Sequence, residues 1–315
     1  MKLGLLFAGQ GSQRVGMGQD LYDRYPLFRS TWDSLAAQVD FDLTSLCFNG
    51  PEELLSQTRY TQPCMVTFAL SLWELLHEQG IQPDAVAGLS LGEYSALACA
   101  GVLDKKQAVS LVAYRGQAME QAVSGRPCGM AAVLGLERSV LQQVCQQAKE
   151  ETGALVEIAN YNCPGQMAIA GDQQAVDRAC ELAKEAGAKR CLPLKVSGPF
   201  HTSLMKPAGD ALAQRFQSEH FSPMQIPVYF NCLGDTAKEP FSIPQLLEQQ
   251  VQSSVYMEDI LSAMERDGIT HMLEIGPGKT LTGLVKKTCK GMAVRSIETA
   301  DDLEAALAWL KGETV

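Results

Sequence analysis

A short apolar run, Ala85-Val86-Ala87, stops at Gly88-Leu89-Ser90-Leu91-Gly92, and helical sequence follows through about Ala100. This pattern matches GxSxG, a strand-to-helix turn in which the serine backbone is strained and the nearby glycines remove steric clashes. Such a turn requires a strand fed directly into a helix. It therefore predicts α/β architecture with a mostly parallel sheet. Other segments agree. Leu3–Phe7 reads as a strand running into a glycine-rich loop, Gly9-Gln10-Gly11-Ser12-Gln13, whose composition suits exposed backbone near a ligand. Residues 64–79 read as a largely buried helix ended by Gly80, and Asp104 as the N-cap of a helix carrying Arg115. Residues 271–275 read as a strand running into Gly276-Pro277-Gly278-Lys279.

The middle of the chain changes character. Strand-like runs at 129–134, 154–160, 166–170 and 189–196 alternate with helical stretches at 137–150 and 173–187. The order βαββαβ is the ferredoxin-like pattern. A complete small unit inside an α/β chain implies an insertion. The expected organisation is a large α/β subdomain from 1–125 and 197–315, with a ferredoxin-like small subdomain at 126–196. In the last part, 204–217 reads as helix, 226–230 as strand and 244–267 as helix in two pieces. A strand at 292–297 and a helix at 301–311 close the sequence.

Bulk properties exclude several classes. The net charge of −10 argues against nucleic-acid binding, which needs a basic face. No stretch approaches the roughly 20 apolar residues that span a bilayer, and the first ten residues lack a convincing signal-peptide pattern. The ten cysteines form no CxxC pair and fall mostly in apolar contexts, as unpaired thiols do in a reducing cytosol. The four histidines are scattered, so no metal site is expected. A cytoplasmic protein without membrane attachment is the expectation.

The elbow supplies a candidate nucleophile, Ser90, above a helix N-terminus whose dipole favours developing negative charge. A serine needs a base, and His201, in Ser197-Gly198-Pro199-Phe200-His201, is the best placed histidine. Its order after the serine also suits α/β-hydrolase-like geometry. His77 lies on a helix, His220 precedes a proline-containing loop, and His271 begins a strand at the end away from the expected active rim. Arg115 interrupts an apolar stretch, Ser110-Leu111-Val112-Ala113-Tyr114 before it and Gly116 after. It suits either a structural ion pair or a bidentate clamp on a substrate carboxylate.

Taken together these residues resemble the malonyl-CoA:acyl carrier protein transacylase family. The likeness runs over nearly the whole chain. It is carried by Gly9-Gln10-Gly11-Ser12-Gln13, by Gly88 to Leu97, by Arg115-Gly116 and by Asn160-Tyr161-Asn162-Cys163-Pro164-Gly165-Gln166. Phe200-His201, Asn231 and Glu274-Ile275-Gly276-Pro277-Gly278 complete it. The resemblance implies an α/β-hydrolase-like large subdomain with an inserted ferredoxin-like one. It implies that Ser90 is the nucleophile and His201 the base, with no triad acid, and that the main-chain carbonyl of Gln250 orients the histidine. It implies an oxyanion hole from the amides of Gln10 and Leu91, and Arg115 on the malonyl carboxylate. Phe200 resembles malonyl-selective members, and Asn160 and Asn162 join the substrate-binding set. The implied substrates are malonyl-CoA and phosphopantetheinylated acyl carrier protein, with no further cofactor and a monomeric enzyme. Two departures stand out: Leu89 where the family commonly has histidine, and Ala8 where it often has proline.

A carrier would need local basic patches on this acidic chain. Lys184, Lys189, Arg190 and Lys195 form one candidate, and Lys286, Lys287 and Lys290 another. Competing readings are a hydrolase using the same dyad, a trans-acting acyltransferase of polyketide synthesis, and a non-catalytic carrier-binding module. Intact Ser90, His201 and Arg115 oppose the last, and Arg115 with Phe200 opposes the first.

Overall fold

The computed structural model describes residues 1–194, 198–238 and 242–312. Lys195 of the first basic cluster, the end of the strand expected at 189–196, and Ser197 lie outside the described residues. Eleven strands are present among the described residues: Leu3–Phe7 (β1), Ala85–Gly88 (β2), Cys128–Leu134 (β3), Val156–Cys163 (β4), Gln166–Asp172 (β5), Arg190–Pro193 (β6), Val228–Phe230 (β7), Asp235–Thr236 (β8), Val255–Tyr256 (β9), His271–Ile275 (β10) and Ala293–Ile297 (β11). The chain forms two compact units. One comprises Met1–Gly116, His220–Phe230 and Ser262–Val315, and the other Gln117–Glu219 and Asn231–Leu261. The segment 126–196 lies wholly within the second.

In the first unit the strands run in the order β11-β10-β1-β2-β7, every neighbouring pair parallel. Burial explains the composition: β1 and β2 are buried at every position. A parallel sheet covered on both faces selects continuous apolar runs over alternation. The register levels the ends of three strands, because Phe7 pairs with both Gly88 and Ile275. The loops after β1, β2 and β10 therefore leave the same carboxyl edge, where open α/β sheets place their ligands. The opposite edge is tied by Asp84, whose carboxylate accepts from the amide of Leu3 at 2.7 Å while its own amide donates to the Leu3 carbonyl at 2.7 Å.

The second unit holds a sheet in the order β6-β3-β5-β4-β9. Its first four strands are antiparallel neighbours, in the fourth-first-third-second order of a ferredoxin-like βαββαβ unit. The helices Arg138–Thr152 and Gln173–Glu185 contribute Leu141, Val144, Cys145 and Ala148, and Ala175, Val176, Ala179 and Leu182, to one core with Val133, Ile158 and Ile169. These spacings are the apolar stripe of an amphipathic helix. Strand β9 was not anticipated. It separates the helices Ile243–Gln252 and Met257–Arg266 and pairs parallel with Asn160 and Tyr161 of β4. Two residues carry no readable period. Tertiary pairing creates this strand, and the Tyr161 and Tyr256 rings stack at 5.0 Å.

Candidate active site

The elbow at Ser90 is built by backbone crowding. A Cβ on Gly88 would sit 1.9 Å from the Gly92 carbonyl carbon, and one on Gly92 would sit 2.1 Å from the Phe7 oxygen. Only glycine permits strand and helix to approach this closely. Ser90 itself adopts φ 52°, a left-handed conformation rare for a residue with a side chain. Backbone strain of this kind costs on the order of 1–3 kcal/mol and persists where surrounding structure enforces it. The helix Gly92–Cys99 follows, buried at every residue, and Leu91 is buried before it.

The first glycine loop lies against the elbow. A Cβ on Gly9 would meet the Leu89 carbonyl oxygen at 2.5 Å and the Leu89 side chain at 3.3 Å. The Leu89 amide donates to the Phe7 carbonyl at 3.0 Å. Gln10, next in the loop, is tethered by its side chain, which donates to Thr58 Oγ1 at 3.0 Å. The loop after β10 closes on the same backbone: Ala8 donates its amide to Ile275 at 3.0 Å, a bond that proline would lose. Gly276, at φ 143°, comes within 2.4 Å of the Ala8 methyl when a Cβ is built on it.

Arg115 is buried in the same unit, at 1% exposure, and its Nη2 donates to Ser90 Oγ at 3.2 Å. Its Nη1 donates to Gln62 Oε1 at 2.9 Å. The guanidinium lies over the Tyr94 ring, 5.7 Å from the centroid, a cation–π contact in a desolvated setting. Burial lowers the Arg115 pKa, opposed by the fields of Tyr94 and Glu93, and raises that of the Tyr94 phenol. Gly116 allows this arrangement, since a Cβ there would press to 2.8 Å on the backbone of Arg59 and Thr58.

In the second unit His201 is buried and, like Ser90, left-handed, with φ 61°. Its Nδ1 lies 2.9 Å from the carbonyl oxygen of Gln250. A carbonyl only accepts, so this bond places the proton on Nδ1 and leaves Nε2 as the basic nitrogen. Gln250 stands in the last turn of the helix Ile243–Gln252, where carbonyls lack helical partners, which is why a main-chain oxygen is available. The strained turn is pinned from behind. Thr202 Oγ1 donates to the Pro199 carbonyl at 2.7 Å, and the Ser203 amide and hydroxyl both donate to the Glu157 carboxylate at 2.8 Å. Phe200 is buried, with its ring within 3.0 Å of a Cβ built on Gly198. Asn160 and Asn162 are half-buried on β4 and alternate with buried Tyr161 and Cys163.

The structure thus brings Ser90, Arg115 and the Gln10 loop together in one unit, and His201 with Gln250 in the other. The remaining histidines are engaged elsewhere. The His77 ring lies 5.4 Å from Trp73, the His271 ring lies 5.1 Å from Trp309, and the His220 carbonyl accepts from Gln107. Sequence reasoning missed Gln62, Thr58, Tyr94 and Glu157. Gln62 was hidden by Pro63, which suggests a helix start, whereas the helix runs from Thr58 to Glu78 with the proline inside. Among the described residues no cluster of three or more His, Cys, Asp or Glu is arranged to hold a metal ion, and no helix is long and apolar enough to cross a membrane. Lys184, Lys189, Arg190, Lys286, Lys287 and Lys290 are all exposed.

A serine held left-handed at the carboxyl edge of a parallel sheet, between two glycines and at the start of a helix, is the geometry of the α/β serine enzymes. The chain matches the acyl transferase domain family over residues 5–306, and it belongs to that family. It is 42% identical over 312 residues to the malonyl CoA-acyl carrier protein transacylase of Bacillus subtilis, covering 99% of this chain and 98% of the relative. Among solved structures, an acyl carrier protein S-malonyltransferase from Vibrio cholerae superposes with a TM-score of 0.93 at 42% identity, covering 97% and 100% of the two chains. Another, a type II PKS acyl-carrier protein in complex with its malonyl-transacylase, gives 0.94 at 38% identity over 98% and 99%.

Proposed function

We propose that this protein transfers a malonyl group from malonyl-CoA to the phosphopantetheine thiol of an acyl carrier protein, through a malonyl ester on Ser90. The observation that carries the reading is the Arg115 guanidinium, buried and 3.2 Å from the Ser90 hydroxyl. A malonyl ester on Ser90 holds its free carboxylate two carbon–carbon bonds beyond the ester carbon, within reach of a cation that already touches Oγ. A bidentate fork suits that carboxylate. Full-length likeness to malonyl transacylases supports the same donor and acceptor.

The reaction is ping-pong. His201 Nε2 takes the hydroxyl proton as Ser90 Oγ attacks the thioester carbonyl. Gln250 holds the imidazole in the required tautomer and stabilises the imidazolium through its carbonyl. The amides of Gln10 and Leu91 receive the oxyanion, and loss of one such donor typically costs about 3–4 kcal/mol. The tetrahedral adduct collapses, the C–S bond breaks, and His201 gives its proton to the departing sulfur, so that coenzyme A leaves as the thiol and the imidazole is neutral again; thiols ionise near 8.5, which makes this a good leaving group. The carrier thiol then attacks the seryl ester, His201 accepts its proton, and that proton returns to Ser90 Oγ. Phe200, Asn160 and Asn162 complete the substrate-binding set. The protein acts as a cytoplasmic monomer without a further cofactor, in fatty acid synthesis. By chain order the α/β subdomain is taken as 1–125 and 197–315 with the ferredoxin-like one, 126–196, inserted; the compact units draw the second boundary wider, to Gln117–Glu219 and Asn231–Leu261.

Incubation with malonyl-CoA followed by digestion tests this directly. A malonyl adduct is expected on the peptide containing Ser90, and added carrier protein should remove it. An intact enzyme that forms no adduct, or a Ser90→Ala variant that still forms one, contradicts the assignment.

A further inference from the structure

The turn at His201 meets two demands at once. Its φ of 61° is a left-handed conformation that a residue with a side chain holds only where its surroundings enforce it. Its ring must also keep Nδ1 on the Gln250 carbonyl at 2.9 Å. The start of the next helix shows how the turn is held. A 3-10 turn, Ser203–Met205, leads straight into the helix Lys206–Phe216, with Thr202 at its N-cap. A threonine there ordinarily caps the helix with its hydroxyl. Thr202 does not, because its Oγ1 is turned back onto the Pro199 carbonyl at 2.7 Å, across the strained residue. The first amide of the turn, on Ser203, is an orphan donor of the helix start. Glu157 Oε2 accepts from it at 2.8 Å, while Glu157 Oε1 accepts from the Ser203 hydroxyl at 2.8 Å. The helix dipole favours a carboxylate at this end.

Glu157 is itself firmly placed. Its neighbours Val156 and Ile158 enter the core of the small sheet. Glu157 pairs with Ala170 and Asn160 with Ala168, alternate residues of β5, so Glu157 and Asn160 share the opposite face of β4 across its bulge. The next residue of β4 holds the other half of the dyad's support. The Ile158 carbonyl accepts from Ser254 Oγ at 2.6 Å, four residues after Gln250, and Val255 then pairs with Asn160. Adjacent positions of one strand thus tether both the histidine turn and the segment that follows its orienting carbonyl.

We propose that Glu157 is a positioning residue for the general base: by holding Ser203 to β4 it fixes the left-handed turn and with it the direction of His201 Nε2. The inference rests on the reading of His201 as the base. Glu157 acts through the backbone of the turn, so its loss slows proton transfer and leaves acyl binding alone. Acylation and transfer to the carrier use the same imidazole and should slow equally.

The test uses the full-length enzyme with malonyl-CoA and an acyl carrier protein, and expresses rates per Ser90 that accepts a malonyl group. Glu157→Ala is expected to lower kcat by about tenfold, as a misplacement of a fraction of an ångström does, with KM for malonyl-CoA changed by less than about twofold. Glu157→Gln keeps one acceptor oxygen and Ser203→Ala keeps the amide bond, so each should lose about threefold. The decisive readout is single-turnover acylation in a His201→Ala background, where no imidazole remains to be aimed. Glu157→Ala should there have no further effect. The same fall in rate in that background, or a raised KM with kcat unchanged, shows that Glu157 acts elsewhere and overturns the inference. A parental kcat in Glu157→Ala also overturns it. If His201→Ala itself acylates at the parental rate, the base assignment fails and the inference with it. Should Glu157→Ala fail to fold, Glu157→Gln and Ser203→Ala decide the matter by the same criteria.

Discussion

Gly9→Ala offers a sharp test of how the Gln10 loop, proposed above to supply an oxyanion donor, is held. A Cβ at this position would stand 2.5 Å from the Leu89 carbonyl oxygen, whereas ordinary contact begins near 3.4 Å. The elbow backbone has little room to yield, because Gly88, Gly92 and Phe7 are packed against one another at shorter virtual distances still. The Gln10 loop must therefore retreat by roughly 0.9 Å, the difference between those two distances. A displacement near 1 Å in a positioned group costs on the order of 10²-fold in rate, comparable with losing one oxyanion donor. Overpacking adds about 1–3 kcal/mol of destabilisation. The expected result is a kcat lower by about 10²-fold with KM for malonyl-CoA little changed, and a lowered unfolding midpoint. Steady-state transfer kinetics and thermal unfolding read both. A folded variant whose kcat stays within about threefold of the parent would refute the claim that this contact sets the position of the Gln10 amide.

Gly283→Ala provides the counterpart. It lies inside the helix Thr280–Thr288 with nothing near its virtual Cβ. It should raise stability by about 0.5–1 kcal/mol, seen in denaturant unfolding, without altering transfer. Asp172 is held below the usual carboxylate range by two bonds from Arg126, with the Leu155 amide assisting. Its lowered folded pKa contributes stability that is complete above its unfolded pKa and lost as pH falls through the folded one. Asp172→Asn should therefore weaken acid destabilisation below about pH 4, the normal range for an aspartate. A variant with the parent's pH slope there would contradict the pairing. Burial pushes the thiols of Cys145, Cys180 and Cys289 up to about 12. Alkylation of these three at neutral pH should be slow in the folded protein and fast after denaturation, as mass spectrometry of the digested peptides will report.

Much of the architecture was legible because local rules and tertiary demands coincided. The ferredoxin-like segment declared itself through alternating strands and amphipathic helices, and the helices Arg138–Thr152 and Gln173–Glu185 begin where their patterns begin. Asp104 was readable as a cap, and its carboxylate accepts from the Lys106 amide at 2.9 Å. What escaped notice lacked a period or was masked by a stronger local signal. Strand β9 is two residues long. Gln62 sits before a proline that would ordinarily open a helix, and Glu157 acts on Ser203 from 46 residues away.

The elbow shows where the boundary lies. The sequence alone determined that Ser90 ends a buried strand and opens a helix, because GxSxG with an apolar run before it leaves the backbone few alternatives. It also singled out Arg115, since a charge in an apolar stretch requires a partner or a purpose. It did not determine what that guanidinium faces. The bond from Arg115 Nη2 to Ser90, the acceptor at Gln62 and the ring of Tyr94 come from helices that are distant in the chain or unrelated in pattern. The left-handed turn at His201, and the helix-end carbonyl of Gln250 that fixes its tautomer, are likewise products of packing. Local sequence sets which residues are unusual. Long-range packing decides which of them meet, because hydrogen-bond direction depends on tenths of an ångström that no periodicity records.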